Sequence, residues 1–132
     1  MSLGFKVRGR VQEGAKRGRK LGFPTANIAV ASDINPLEKG VYACWIWLDI
    51  DKYYKGVVNI GVRPTFGEEK LVYEAHVFDF DGNLYGKEIE LELVKYLRHE
   101  LSFCTIEALK DQINTDILTA KTLLADIKPN LK

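Results

Sequence analysis

Disulfides, zinc knuckles and membrane-spanning helices are beyond what this sequence offers. It has only two cysteines, Cys44 and Cys104. They lie far apart and belong to no CxxC pair or Cys/His cluster, so they read as buried or incidental thiols. No apolar run approaches the roughly 20 residues that cross a bilayer, and the N-terminus lacks the long apolar core of a signal peptide. A soluble, cytoplasmic protein with no membrane partner is therefore expected. The generic phosphate-binding signatures are missing too. Lys20 is followed by Leu21 rather than Ser or Thr, which excludes a Walker A loop, and Gly14, Gly18 and Gly22 are wrongly spaced for the dinucleotide fingerprint. No internal repeat or low-complexity linker divides the chain. At 132 residues and 46% apolar it can bury a sizeable core without covalent or metal support. Residues 1–132 are expected to form a single domain, the first four reading as a lead-in.

Charge is present but unevenly placed. The net charge is +1, yet the first 30 residues carry Lys6, Arg8, Arg10, Lys16, Arg17, Arg19 and Lys20 against Glu13 alone. An anionic partner near the N-terminus follows, and a nucleoside triphosphate or a nucleic acid would satisfy it; a solvated charged hairpin needs no partner at all. The basic stretch runs into Gly22-Phe23-Pro24-Thr25-Ala26-Asn27. Glycines let a backbone wrap closely around a ligand, Arg19 and Lys20 offer charge, and Thr25 and Asn27 offer the neutral oxygens that a hard cation such as magnesium prefers. Such a stretch also serves as an ordinary turn leading into a strand.

Periodicity gives a run of short strands followed by one helix. Phe5, Val7, Gly9 and Val11 alternate with Lys6, Arg8 and Arg10. Tyr42, Cys44, Ile46, Leu48 and Ile50 form one apolar face, which turns Trp45 and Trp47 the other way, either to stack on a flat ring or to pack beneath a helix. Lys55–Ile60 and Leu71–Phe80 read as further strands. Asp81-Gly82-Asn83 offers hairpin-turn chemistry into a strand with Ile89, Leu91 and Leu93 on one face and Glu88, Glu90 and Glu92 on the other. Six or so antiparallel strands in so short a chain favour a small closed or nearly closed barrel. A helix over 105–127 is expected from the stripe Ile106, Leu109, Ile113, Ile117, Ala120 and Leu124, with Thr105 as its N-cap. Gln112 and Asp116 flank the stripe and read as amphipathic flanks rather than catalytic groups. In the strand from Leu71, Glu74 and His76 share the face opposite Tyr73, Ala75 and Val77. A carboxylate and an imidazole so placed suit acid/base chemistry or a plain surface pair.

Several segments, in order along the chain, resemble the riboflavin kinase family: Phe5 to Gly14 leading into Arg19-Lys20-Leu21-Gly22-Phe23-Pro24-Thr25-Ala26-Asn27, Gly40-Val41-Tyr42, Asn59-Ile60-Gly61-Val62-Arg63-Pro64-Thr65-Phe66, Glu74-Ala75-His76, Leu84-Tyr85-Gly86, Tyr96-Leu97-Arg98, Phe103 and Leu109 to Asp116. The resemblance implies a mainly β fold, a six-stranded antiparallel Greek-key barrel with a C-terminal helix. It also implies an enzyme that moves the γ-phosphoryl group of ATP to the ribityl 5′-hydroxyl of riboflavin, giving FMN and ADP. On that reading Glu74 is the catalytic base and Thr25 and Asn27 hold Mg2+. Gly14, Gly18, Arg19, Lys20 and Gly22 bind the nucleotide, and Arg98, Phe103 and Thr105 line the flavin pocket. His76 orients its neighbours, and the turn from Gly61 to Gly67 is a second flap. Ala75 stands where a larger aliphatic residue is usual, and Leu101-Ser102 where a more charged pair is. The adenylyltransferase domain of bacterial bifunctional versions is not in the sequence, so the chain reads as a stand-alone kinase or as the C-terminal domain of a larger enzyme. Two rivals make different demands: a basic barrel binding single-stranded nucleic acid through Lys16, Arg17, Arg19 and Lys20, and a flavin-binding module without turnover.

Overall fold

The computed structural model describes residues 5–12, 25–30, 38–65, 67–80, 82–126 and 129. Six strands, β1 (Phe5–Gln12), β2 (Ala26–Val30), β3 (Gly40–Asp49), β4 (Lys52–Thr65), β5 (Glu68–Val77) and β6 (Glu88–Arg98), precede one helix, α1 (Ile106–Asp126). Every neighbouring pair is antiparallel, and the order β1-β2-β5-β4-β3-β6 closes into a barrel. Strands β3, β4 and β5 form a meander and β6 returns to lie beside β3, which is Greek-key order. The expected architecture is therefore present.

Period-two alternation fills the interior. Val7 and Val11, Ile28, Tyr42, Cys44 and Ile46, Val58 and Ile60, Tyr73 and Ala75, and Ile89, Leu91 and Leu93 meet in one buried cluster. Each strand then presents its intervening residues on the outer wall. A second cluster forms there, where Ala43, Trp45, Phe78 and Val94 meet Ala120 and Leu124 of α1. Trp45 thus packs beneath the helix. Trp47 does not: its ring lies 4.8 Å from that of Tyr53, and its Nε1 donates to Glu92 at 3.4 Å. Under that aromatic cover Glu92, expected on a polar face, is fully buried.

Three local expectations need correction. β5 and β6 are not joined as a hairpin, because both edges of β5 are occupied by β2 and β4 and both edges of β6 by β1 and β3; Asp81 of the expected Asp81-Gly82-Asn83 turn lies outside the described residues. The connection instead closes one end of the barrel. Gly86 N donates to Val11 O at 2.9 Å, Val11 N donates to Lys87 O at 2.8 Å, and Leu84 joins the core. The Asx chemistry is real, since Asn83 Oδ1 accepts from Tyr85 N at 2.9 Å, but it shapes a crossing rather than a turn between paired strands. Ile50 is 79% exposed, because β3 bulges between Trp47 and Asp49 and then ends. The segment from Gly61 is not a turn: β4 and β5 stay paired out to Thr65 and Glu68, so 61–65 are strand.

Only the second half of α1 is docked on the barrel. Ala120 and Leu124 are buried, Leu109 and Ile113 are partly exposed, and Ile106, the first residue of the expected stripe, is 58% exposed. Thr105 caps the helix as expected, its Oγ1 accepting from Ala108 N at 3.1 Å. Leu124→Ala is expected to cost about 2–4 kcal/mol through the cavity left against Trp45 and Phe78. Denaturant unfolding of the purified variant checks this.

Candidate active site

Antiparallel register gathers polar residues from distant parts of the chain into one row. Asn27 on β2 stands opposite Glu74 on β5, Glu74 opposite Asn59 on β4, Asn59 opposite Val41 on β3, and Val41 opposite Arg98 on β6. Residues directly opposite in such pairs have Cβ atoms about 4.5–5.5 Å apart. The row lies on the outer wall, because the alternate residues Ile28, Tyr73, Ile60 and Tyr42 fill the interior. A parallel row follows on the same face, with His76 opposite Val57 and Val57 opposite Ala43.

This wall faces the undocked half of α1 across a cleft of about 630 Å³. Thr25, Asn59, Glu74, His76 and Arg98 line it from the barrel; Phe103, Thr105, Leu109, Ile113 and Asp116 line it from the helix and the approach to it. The sequence-expected residues Thr25, Glu74, Arg98, Phe103 and Thr105 therefore share one cavity, and Asn27 adjoins it through its pairing with Glu74. Gly14, Gly18, Arg19, Lys20 and Gly22 lie outside the described residues.

Arg98 is fixed from two sides. Its Nε donates to Asp116 Oδ1 at 3.0 Å and its Nη2 to Oδ2 at 2.7 Å, a bidentate pair, while Nη1 donates to His99 O at 3.0 Å. Gln112 Nε2, one turn earlier on α1, donates to the same Asp116 Oδ1 at 3.0 Å. The partner of Arg98 is thus the helix residue Asp116 and not the nearby Glu100. At the start of β3, Gly40 has φ +148°, and a Cβ there would come within 2.4 Å of Arg98 O and 2.7 Å of the Tyr96 ring. Only glycine lets β3 pass so close behind Arg98.

Residues that the sequence reading left without a role belong to this site as well. Asn59 Nδ2 donates to Glu100 Oε2 at 3.3 Å, and Asp116, an amphipathic flank in the sequence, is buried and paired. A signal for Asn59 existed, since it is the one amide in the run Val57-Val58-Asn59-Ile60. For Asp116 the only local sign was Gln112 four residues earlier. Arg98 is the single Lys or Arg on the described lining, against Glu74, Glu100 and Asp116. Among the described residues, then, the cleft is acidic, and a polyphosphate held there needs cations from elsewhere.

The family model for riboflavin kinase matches residues 1–124. The chain belongs to the riboflavin kinase family. A bifunctional riboflavin kinase/FMN adenylyltransferase of Haemophilus influenzae is 43% identical over 117 residues, which cover 89% of this chain and 38% of that protein. The chain thus spans about two fifths or less of the curated relatives it matches. Among solved structures, riboflavin kinase from Trypanosoma brucei matches 96% of this chain and 82% of its own at TM-score 0.68 and 26% identity. A chain from Streptococcus pneumoniae described as a macrolide-efflux protein matches at TM-score 0.82 and 28% identity, over 88% of this chain and 38% of its own.

The two thiols differ sharply. Cys44 lies inside the barrel, where burial pushes its thiol up and keeps it protonated, while Cys104 is exposed on the cleft lining. Thiol titration of the native protein is expected to modify Cys104 alone, with Cys44 reacting only after denaturation. Peptide mass mapping of the labelled chain checks the assignment.

Proposed function

We propose that this chain is an ATP-dependent riboflavin kinase, transferring the γ-phosphoryl group of ATP to the terminal ribityl hydroxyl of riboflavin to give FMN and ADP. The observation that carries the proposal is the shared cleft: Glu74 and Thr25 on one wall, with Asn27 paired to Glu74, and an apolar flank of Phe103, Leu109 and Ile113 on the other. A tricyclic flavin fits the apolar flank, and its ribityl chain then reaches toward Glu74. The hydroxyl oxygen attacks the γ-phosphorus, the bond to the ADP oxygen breaks, and Glu74 takes the hydroxyl proton. The transition state of such transfers is loose, so catalysis is mostly positioning and charge neutralisation.

Thr25, just ahead of β2, and Asn27 and Glu74, paired across β2 and β5, are all oxygen-bearing, a set that suits a hard divalent ion retaining water and phosphate oxygens in its shell. Thr25 and Asn27 would hold Mg2+, which supplies neutralisation of phosphate charge. Arg19 and Lys20, on the glycine-rich segment from Gly14 to Gly22, supply the further cations that the acidic cleft wall calls for. Arg98 and Thr105 bound the flavin end. The family match and the riboflavin kinase relatives favour this reading over a barrel that binds nucleic acid.

Among the described residues no helix is long and apolar enough to cross a membrane, and a cytoplasmic location, where ATP is plentiful, is part of this proposal. The bifunctional relatives are also named as FMN adenylyltransferases, so this chain is proposed to be fused to such a domain in a longer protein. Incubation with riboflavin, ATP and magnesium, followed by chromatography with fluorescence detection, is expected to give FMN. Riboflavin binding with no FMN formed would instead identify a binding module.

A further inference from the structure

The amide of Asn59 is half satisfied. Its Nδ2 donates to Glu100, but its Oδ1 is buried and has no hydrogen-bond partner among the described residues. A buried acceptor in that state is costly, and native proteins rarely keep one without a use. The orientation of the amide is not arbitrary. An ionised carboxylate only accepts hydrogen bonds, so Glu100 must face the nitrogen, and the oxygen is left pointing elsewhere. Nor can the immediate neighbours supply a donor. Within the cross-strand row Asn59 stands between Glu74 and Val41, the one an acceptor when ionised and the other apolar. The donor comes from outside the described side chains, and because Asn59 lines the cleft a bound ligand is placed to bring it.

We infer that Asn59 is a specificity-determining contact for the acceptor substrate. Its Oδ1 accepts a hydrogen bond from a secondary hydroxyl of the acceptor's polyol chain, beside the terminal hydroxyl that Glu74 serves, and Glu100 is the positioning residue that fixes the amide. This rests on the kinase reading above. It follows from the pairing of Asn59 with Glu74: one side chain meets the reacting hydroxyl, and the other, about 5 Å along the row, meets a hydroxyl further down the same chain. Gly61 makes room for the arrangement, since a Cβ there would come within 2.9 Å of both Glu100 carboxylate oxygens. The site thereby selects polyol-bearing flavins over flavins with a plain alkyl alcohol.

The test compares riboflavin with an isoalloxazine carrying a 5-hydroxypentyl chain at N10, which has the terminal hydroxyl and no others. Wild type is expected to prefer riboflavin in kcat/KM by about tenfold or more, the usual scale when a buried polar group is left unpaired. In Asn59→Leu, which keeps the shape and loses the amide, that preference collapses toward unity, because riboflavin suffers far more than the hydroxypentyl acceptor. An equal loss on both acceptors would overturn the inference. If the leucine variant fails to fold, Glu100→Gln serves instead, since a glutamine can accept or donate and no longer fixes the amide. A partial loss of the riboflavin preference is expected, and an unchanged preference overturns the positioning role. Should wild type bind riboflavin but form no FMN, the kinase reading fails. The same preference is then read from the affinities for the two flavins by fluorescence titration.

Discussion

Glu74→Gln is expected to lower kcat for FMN formation by about 10²–10³-fold, while the KM for riboflavin and the unfolding midpoint stay close to wild type. Glutamine keeps the size of the side chain and its place opposite Asn27 and Asn59, so neither the barrel wall nor the flavin flank has reason to change. It cannot take the proton of the attacking hydroxyl. General-base contributions span about 10²–10⁴, and a loose transition state puts this one toward the lower end, because bond formation to the nucleophile lags behind cleavage. Steady-state kinetics by FMN chromatography at saturating ATP separates the cases. A fall in kcat at constant KM marks a group acting in the transition state. Unchanged kcat in Glu74→Gln would remove the base assignment and leave catalysis to positioning alone.

What could be read from the sequence was the local part of this picture. Alternation in Leu71–Val77 put Glu74 and His76 on the face opposite Tyr73 and Ala75, and the structure has Tyr73 and Ala75 inside and Glu74 on the cleft. The stripe and the Thr105 cap located α1 for the same reason: helical and strand periods are properties of consecutive residues. Pairing between strands is not. Nothing in Asp81-Gly82-Asn83 reveals that both edges of β5 are already taken, so good turn chemistry suggested a hairpin where the fold makes a crossing. Glu92 fits an outward polar face by period alone, and only the placement of Trp47 and Tyr53 over it explains its burial. Asn59 and Glu100 carry no meaning until register sets one beside Glu74 and a hydrogen bond joins it to the other. The glycines and cations from Gly14 to Gly22 remain a reading of sequence, since they fall outside the described residues.

Asp116→Ala is expected to cost about 2–4 kcal/mol of stability, as much as the loss of Leu124 from the core, and to lower the melting temperature by roughly 10 °C. The side chains of Arg98 and Asp116 are 18% and 8% exposed, so the alanine variant strands a largely desolvated guanidinium whose one remaining bond among the described residues is to His99 O. Such a loss exceeds what a surface ion pair would show, which is usually below about 1 kcal/mol. The pair also has a geometric role. It ties the end of β6 to the middle of α1, at the boundary between the docked half of the helix and the half that overhangs the cleft. Losing it should let the overhanging half move and weaken flavin binding as well as stability. A double variant, Arg98→Met with Asp116→Leu, separates the two roles. Replacing both charges with apolar groups of similar volume is often near neutral for stability, so its unfolding midpoint should return most of the way to wild type. Riboflavin affinity, measured by fluorescence titration, should stay low if Arg98 itself bounds the flavin end. Recovery of both would reduce the pair to a structural tie between strand and helix.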